Sequence, residues 1–163
     1  MMKRKSCYLS VIVPLYNEAD SVPQLIDELD TALRRYRSAW EVILVDDGST
    51  DDTAQRVKQA ISVLEGDYRL ITLQRNFGQT AAIQAGFDHS RGRYLATLDG
   101  DLQNDPADIP ALLETLIRDE LDLIVGWRKA RKDGFLLRRL PSQIANYLIG
   151  RVTGVRRMTT AAA

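Results

Sequence analysis

The chain has 163 residues with a single cysteine, which excludes an internal disulfide and a zinc site built from several cysteines. Hydrophobic residues make up 45% of the chain and charged residues 27%, as in folded globular proteins and unlike disordered ones. The net charge is zero, but residues 128–157 hold nine of the 22 lysines and arginines and one acid, so an acidic body is followed by a basic arm.

The first apolar segment, YLSVIVPLY, has β-branched residues at its centre and predicts a buried strand. The basic residues before it give a superficial resemblance to a signal peptide, but the apolar run is short and contains Pro14. Apolar residues then recur at helical spacing from Val22 to Tyr36. Ser21, with Gln24 three residues later, predicts a capping box at the start of this helix.

The segments that follow continue to alternate between strand and helix. Strands are predicted for WEVILVDD, YRLITLQ, RYLATLDGD and LDLIVGW, and helices for residues 48–66 and 78–90, from Pro106 onward, and for residues 135–150. Five apolar strands separated by helices predict βαβ units, and hence an α/β fold with a mostly parallel sheet and helices on both faces.

The predicted carboxyl ends of the strands are rich in polar residues: PLYNE, VDDGSTDDT, QRNFGQT, LDGDLQND and VGWRK. In open α/β sheets ligands bind beyond these ends, so four such polar ends favour a binding crevice, although each one alone would be explained as a turn. The sequence has neither of the common glycine-rich phosphate loops. Its single histidine, His89, excludes a histidine-rich metal site and a Ser-His-Asp triad, and we interpret it as a surface residue.

Three carboxylates, Asp99, Asp101 and Asp105, lie within seven residues directly after the apolar run of the fourth predicted strand. Carboxylates this close repel one another, so the cluster predicts a positively charged partner. Residues i and i+2 of an extended segment point to the same side, which would bring Asp99 and Asp101 together. Clustered Asp and Gln oxygens are hard ligands suited to Mg²⁺ or Mn²⁺ bound with substrate phosphates. We interpret Asp105 as a residue at the start of the following helix.

Five motifs together resemble the inverting family-2 glycosyltransferases, which have a GT-A fold: VIVPLYNE, VDDGSTDDT, RNFGQTAAIQAG, DGDLQNDP and VGWRK. The resemblance is to the polyprenyl-phosphate sugar transferases, such as dolichyl-phosphate mannose synthase and the undecaprenyl-phosphate glucose and aminoarabinose transferases. It implies a Rossmann-like nucleotide-diphospho-sugar transferase fold. Residues 1–127 would form the nucleotide-sugar- and metal-binding domain, and residues 128–163 an incomplete basic arm on the acceptor side.

The resemblance also implies roles for individual residues on the donor side. The nucleotide sugar would be bound by Pro14, Leu15, Tyr16, Glu18, Asp46, Asp47, Arg75, Asn76, Asp99 and Gly100. Asp99, Asp101 and Gln103 match the family's D-x-D-x-Q pattern, which implies Mg²⁺ or Mn²⁺ held by Asp101 and Gln103 with Asp99 alongside. The metal would stabilise the departing nucleoside diphosphate. Asp99, Asp101 and Arg128 are thereby implied as catalytic residues.

On the acceptor side, Arg128, Arg138 and Ser142 match the family's phosphate-binding positions. Arginine binds phosphate through a planar fork, and an ionised lipid phosphate would attack without a strong general base, giving inversion in one displacement. The implied partners are a nucleotide sugar, a polyprenyl phosphate and the cytoplasmic membrane surface, with no nucleic acid and with a homo-oligomer left open. Residues 129–137 would contact anionic lipids or form an ordinary amphipathic helix.

The sequence departs from the resembled enzymes at its C-terminal end, where VTGVRRMTTAAA replaces their acidic stretch and closing elements. An aspartate that those enzymes place near the acceptor has no counterpart. Two alternatives therefore stay open: a non-catalytic remnant that binds a nucleotide sugar or a full-length subunit, and a family-2 transferase with a saccharide or protein acceptor. The sequence does not distinguish UDP from GDP or name the sugar.

Overall fold

The structure is a computed structural model that describes residues 8–126, and over that range it is an alternating α/β fold. The elements in chain order are β1 (Leu9–Leu15), α1 (Val22–Arg34), β2 (Trp40–Asp46), α2 (Thr53–Ile61), β3 (Tyr68–Thr72), α3 (Gln79–Asp88), β4 (Tyr94–Thr97) and α4 (Asp108–Arg118). The described strands form one sheet in the order β3-β2-β1-β4, and every neighbouring pair is parallel. The predicted fold class is confirmed.

The register of the sheet brings the carboxyl ends of the strands to one edge. Leu15 pairs with Asp46, and Asp46 pairs with Thr72, so β1, β2 and β3 end together. β4 lies on the other side of β1 and ends earlier, with Thr97 opposite Ile12. The strand order reverses between β1 and β4, and such a reversal is where open α/β sheets bind ligands.

The core lies on both faces of the sheet, because successive strand residues point to opposite sides. On one face, Ile12, Ile43 and Val45 pack with Ala82 of α3. On the other face, Val11 and Leu44 are fully buried, and α2 contacts β2 and β3 while α1 packs against α2. The apolar stripe of α1 is buried at Val22, Leu25, Ile26, Leu29 and Leu33. The prediction of helices on both faces is therefore confirmed.

An ion-pair cluster lies at the amino ends of the strands, opposite the edge just described. Glu41 of β2 is fully buried and accepts hydrogen bonds from Ser10 Oγ (2.5 Å), Arg69 (2.5 Å) and Arg91 Nε (2.9 Å). Burial alone would raise the pKa of Glu41, but the hydrogen bonds from Ser10 and Arg91 and the charge of Arg69 outweigh it and lower the pKa to about 2. Glu41 is therefore ionised in the folded chain.

One helix start and one helix end differ in detail from the predictions, and a second helix start agrees with them. Ser21 is the N-cap of α1, but its hydroxyl donates to the carbonyl and carboxylate of Glu18 and makes no capping bond, so the predicted capping box is wrong. Helix α2 ends at Ile61, five residues before Gly66, with Ser62 as its C-cap, and the apolar Val63 beyond it is exposed. Asp105 accepts a hydrogen bond from the backbone of Ala107 (2.9 Å), in the turn before α4, as expected.

The predicted fifth strand does not form over residues 121–126, the part of LDLIVGW that the structure describes. Leu123 and Val125 are exposed there. An apolar run predicts burial, but a strand also needs a hydrogen-bonded neighbour, and sequence alone does not supply one. The chain divides into two compact units with the boundary between Ala111 and Leu112. The predicted domain boundary after residue 127 stays a prediction, and the helix predicted for residues 135–150 lies outside the described residues.

Candidate functional site

A pocket of about 380 Å³ opens at the carboxyl ends of the strands. It is within the usual size range of small-molecule sites, and it includes residues from the loops after β1, β2, β3 and β4. The lining residues are Pro14, Leu15, Tyr16, Glu18, Asp47, Asn76, Gly78, Gln79, Asp99, Gly100 and Asp101. Most of the residues predicted for the donor are therefore brought together, as the polar strand ends led us to expect.

The loops after β1 and β2 are joined by a network of hydrogen bonds that holds Tyr16 and Glu18 at the pocket. The backbone N–H of Asn17 donates to Ser49 Oγ (2.9 Å), and that of Thr50 donates back to Asn17 Oδ1 (2.9 Å). The N–H of Glu18 donates to the hydroxyl of Thr53 (2.8 Å). The polar residues of GSTDDT therefore connect two strand ends and do more than begin a helix.

The two aspartates that end β2 have different surroundings. Asp46 does not line the pocket; it is buried, and its Oδ1 accepts a hydrogen bond from the backbone of Ser49 (3.1 Å). Asp47 lines the pocket and is also buried, and its two oxygens accept hydrogen bonds from the backbone N–H groups of Phe77 and Gly78, each at 2.8 Å. Asp47 thus fixes the loop between β3 and α3, and the nucleoside contacts predicted for both residues stay predictions.

The β3–α3 loop carries Arg75 and Asn76, and only Asn76 lines the pocket. The Arg75 guanidinium lies over the ring of Phe77, 4.5 Å from its centroid, a cation–π arrangement. The backbone of Arg75 packs against Gly48, where an added Cβ would lie 2.5 Å from Arg75 Cα. The donor role predicted for Arg75 stays a prediction.

The acidic segment after β4 enters the pocket through Asp99 and Asp101. Between them Gly100 is buried, and a Cβ there would meet the side chain of Leu15. The positive φ of Leu102 (57°) turns the chain after Asp101, so Gln103 does not line the pocket, and its backbone N–H donates to Asp101 Oδ1 (3.1 Å). We expected an extended segment in which alternate residues point to the same side. The strand β4 ends at Thr97 and the chain turns at Leu102, so Gln103 does not continue the alternation of Asp99 and Asp101.

The donor set of the pocket fits a hard divalent cation. Asp99 and Asp101 offer carboxylate oxygens, and Mg²⁺ is commonly bound by one or two carboxylates together with substrate phosphates. Across residues 8–126, no group of three or more His, Cys, Asp and Glu side chains is arranged to hold a metal ion. A cation at this pocket would therefore take its remaining ligands from amide oxygens, water or a bound phosphate.

Sequence reasoning gave no role to Gln79, which lines the pocket and donates a hydrogen bond from Nε2 to Asp99 Oδ1 (2.7 Å). In the sequence, the feature that could have identified Gln79 is its position directly after Gly78, at the start of a predicted helix. His89 is exposed, as interpreted. The predicted acceptor residues, Arg128, Arg138 and Ser142, lie outside the described residues.

Comparison with known proteins decides the family. The model of the family described as "Glycosyl transferase family 2" matches residues 10–161. The chain belongs to glycosyltransferase family 2. Two similar members are the dodecaprenyl-phosphate galacturonate synthase of Rhizobium johnstonii (55% identical over 93% of this chain and 45% of that protein) and the undecaprenyl-phosphate 4-deoxy-4-formamido-L-arabinose transferase of Pseudomonas fluorescens (42% identical over 90% of this chain and 43% of that protein). This family-2 chain therefore spans less than half the length of these curated relatives.

Solved structures confirm the GT-A class of this family-2 domain. TarS 1-349 of S. aureus in complex with UDP-GlcNAc superposes with a TM-score of 0.66 over 80% of this chain and 37% of that one, at 22% identity. Mannosyltransferase PcManGT from Pyrobaculum calidifontis, in complex with GDP-Man and Mn²⁺, superposes with a TM-score of 0.57 over 76% of this chain and 34% of that one, at 24% identity. At these identities the likeness shows the fold alone.

Proposed function

We propose that this chain is a metal-dependent, inverting glycosyltransferase domain, which transfers a sugar from a UDP- or GDP-linked donor to a polyprenyl phosphate. The observation that carries the proposal is the pair of carboxylates, Asp99 and Asp101, in a pocket at the β1–β4 reversal of strand order. The names of the two relatives support the acceptor class, because each combines a polyprenyl phosphate with a sugar.

The nucleoside end of the donor would be bound by the loops after β1 and β2. Tyr16 is 42% exposed in the pocket, so its ring has a face available for stacking on a nucleobase. Glu18 and Asp47 offer carboxylate oxygens to base N–H groups and ribose hydroxyls. Both Asp47 oxygens already accept one backbone bond, but each carboxylate oxygen has a second lone pair for a ligand. Asp46 is buried and accepts a hydrogen bond from the backbone of Ser49, so we propose that it acts indirectly, by holding the loop after β2 in place.

The diphosphate end would lie at the segment after β4. Asp99 and Asp101 would hold Mg²⁺ or Mn²⁺ at the pocket, on a turn that packs against Leu15 through Gly100. The proposed ligand role of Gln103 needs the turn at Leu102 to bring its side chain to the ion, since Gln103 does not line the pocket in this structure. When bound, the ion neutralises the diphosphate and stabilises it as a leaving group. Asn76 and Gln79 add uncharged amide groups to the same wall of the pocket.

The reaction would be a single displacement with inversion at the anomeric carbon. A phosphate oxygen of the acceptor forms the new bond to that carbon, the bond from the carbon to the donor diphosphate breaks, and the nucleoside diphosphate leaves with the bonding electrons. The acceptor phosphate is already ionised at neutral pH, so no proton has to be removed. We assign that phosphate to Arg128, Arg138 and Ser142, whose guanidinium forks and hydroxyl suit its oxygens.

We infer that this reaction occurs at a membrane surface, because a polyprenyl phosphate is a lipid. We further propose that this surface is the cytoplasmic face. Among the described helices, none has both the length and the apolar composition needed to span a membrane. Contact with the surface is assigned to residues 129–137, where lysines and arginines precede Phe135 and two leucines.

The metal step is tested by calorimetry with UDP and with GDP, each with and without Mn²⁺. We expect Mn²⁺ to tighten binding of the preferred nucleotide by about tenfold or more, a usual coupling between two linked ligands. Asp101→Asn should abolish this gain. Asp105→Asn is the matched control, since it removes the same charge from the same segment but outside the pocket, and keeps an oxygen for Ala107. Equal affinity with and without Mn²⁺ in the unaltered chain would contradict metal dependence.

A further inference from the structure

Gln79, the first residue of α3, joins two strand ends that are far apart in sequence. Its side-chain Nε2 donates a hydrogen bond to Asp99 Oδ1 at 2.7 Å. Both residues line the pocket, so this bond lies in its wall. The bond engages one oxygen of the carboxylate, Oδ1, and so restrains the orientation of the whole group.

The position of Gln79 is itself fixed from the end of β2. Asp47 accepts hydrogen bonds from the backbone of Phe77 and Gly78, the two residues directly before Gln79. The side chain of Asn76 accepts a further bond from the Gly78 N–H (3.0 Å). The side chain of Gln79 therefore projects from a loop held by a buried carboxylate, which restricts where its amide can lie.

We propose that Gln79 is a positioning residue for Asp99. Its hydrogen bond to Oδ1 fixes the rotation of the carboxylate, so that Oδ2 is presented to the divalent cation and diphosphate of a bound nucleotide. Groups that hydrogen-bond a metal-binding carboxylate orient it and raise metal affinity. The identity of this ligand rests on the proposed function, whereas the orientation of Asp99 by Gln79 does not.

A second glutamine on the same helix supplies the control. Gln84 donates from Nε2 to Asp88 Oδ1 at 2.8 Å, so α3 carries two exposed amide–carboxylate bonds of the same kind. Neither Gln84 nor Asp88 lines the pocket. Gln79→Leu and Gln84→Leu remove the same groups from one helix, so a difference between the two variants reports the position of the bond and not the loss of an amide from α3.

The first measurement uses the full chain without metal or nucleotide. The side-chain NH₂ signals of Gln79 are identified in a ¹⁵N–¹H NMR spectrum by their loss in Gln79→Leu. We expect Asp99→Asn to shift these signals, and Asp101→Asn to leave them in place. If Asp99→Asn does not move the Gln79 signals, the two side chains are not bonded in solution, and the inference is overturned whatever the pocket binds.

The second measurement determines the dissociation constant of Mn²⁺ with saturating UDP or GDP. We expect Gln79→Leu to weaken Mn²⁺ by about tenfold, the lower end of the effect of such partners because the bond is exposed. Gln84→Leu, which lies outside the pocket, should stay within twofold of the unaltered chain both for Mn²⁺ and for metal-free nucleotide. Equal Mn²⁺ affinity in the two leucine variants would overturn the positioning role. No Mn²⁺ effect in the unaltered chain would contradict the proposed function, and with it the assigned ligand, while the NMR result would still decide the contact.

Discussion

Glu41 is a carboxylate with no solvent exposure, and two arginines hold it. Arg69 and Arg91 remain partly exposed, so their charges keep some hydration while Glu41 has none. Removal of one partner from a buried ion pair is costly, because the others keep the desolvation penalty without the attraction. The side chain also accepts bonds from Ser10 and from the Arg91 backbone, which joins β1, β2 and the segment before β4.

We therefore expect Glu41→Gln to lower the free energy of unfolding by about 2–4 kcal/mol. The amide keeps the size of the side chain but loses the charge that faces two arginines. Urea denaturation at pH 7 measures the change. Asp20→Asn is the control, since it breaks the exposed pair with Arg56 (3.3 Å) and should leave the urea midpoint unchanged. Equal midpoints for the two variants would show that the cluster contributes nothing to stability.

The same carboxylate predicts an acid-labile contribution to folding. The folded-state pKa of Glu41 is lowered from 4.5 to about 2, so its stabilisation is complete above pH 4.5 and is lost as the pH falls from 4.5 towards 2. Urea midpoints measured between pH 7 and pH 3 should fall less steeply in Glu41→Gln, which has no proton to bind at this position. Parallel pH profiles for the variant and the unaltered chain would contradict the lowered pKa.

Among the elements, β1 and β2 could be predicted because they are buried on both faces and appear in sequence as nearly continuous apolar runs. The strands β3 and β4 are shorter and less buried, and they too alternate with helices along the chain. The strand ends also indicated the pocket, since parallel topology brings them to one edge. What depends on pairs of elements could not be predicted. The bond between Gln79 and Asp99 joins residues 20 positions apart, and no local sequence pattern indicates the positive φ of Leu102.

Two glycines with positive φ give a prediction about the loops that carry the pocket. Gly48 has φ 68° and packs against the backbone of Arg75, whereas Gly78 has φ 96° and nothing within 4 Å of an added Cβ. Gly78→Ala should cost about 1–3 kcal/mol for the backbone conformation alone, because φ 96° with ψ 155° is a conformation that is essentially restricted to glycine. Gly48→Ala should cost about 2–4 kcal/mol, because the methyl group also displaces the β3–α3 loop.

Chemical denaturation measures both glycine variants, and nucleotide affinity gives a second readout. Because the loop that Gly48 contacts carries Asn76 and leads directly into Gln79, Gly48→Ala should also weaken nucleotide binding. If both variants lose the same free energy of unfolding, the β3–α3 loop accommodates the methyl group at position 48 without an energetic cost, which would contradict this prediction.

At the scale of the whole molecule, donor binding and sugar transfer are separate questions. The described residues hold the proposed donor pocket, and the residues assigned to the acceptor lie outside them. A non-catalytic remnant would bind nucleotide with Mn²⁺ and transfer nothing. Our proposal expects transfer of labelled sugar to a polyprenyl phosphate by the chain. A family-2 enzyme with a saccharide acceptor would transfer label only when a saccharide is offered.

Arg138→Ala tests the acceptor assignment. We expect at least a tenfold loss of transfer to polyprenyl phosphate, since the loss of a charged hydrogen bond to phosphate costs about 1.5–3 kcal/mol. Nucleotide and Mn²⁺ affinities should not change. Arg34→Ala is the control: Arg34 pairs with Asp30 on α1 and does not line the pocket. Unaltered transfer in Arg138→Ala would contradict the assignment.

The sheet separates its two polar centres by the length of a strand. Glu41 is the second residue of β2 and Asp47 follows the end of that strand, so about 20 Å of backbone lies between them at the usual rise of a strand. Groups this far apart with no shared partners make independent contributions. Selection for a new donor sugar can therefore alter the pocket without weakening the cluster that holds the strands together. In evolutionary terms the fold is robust at one edge and adaptable at the other.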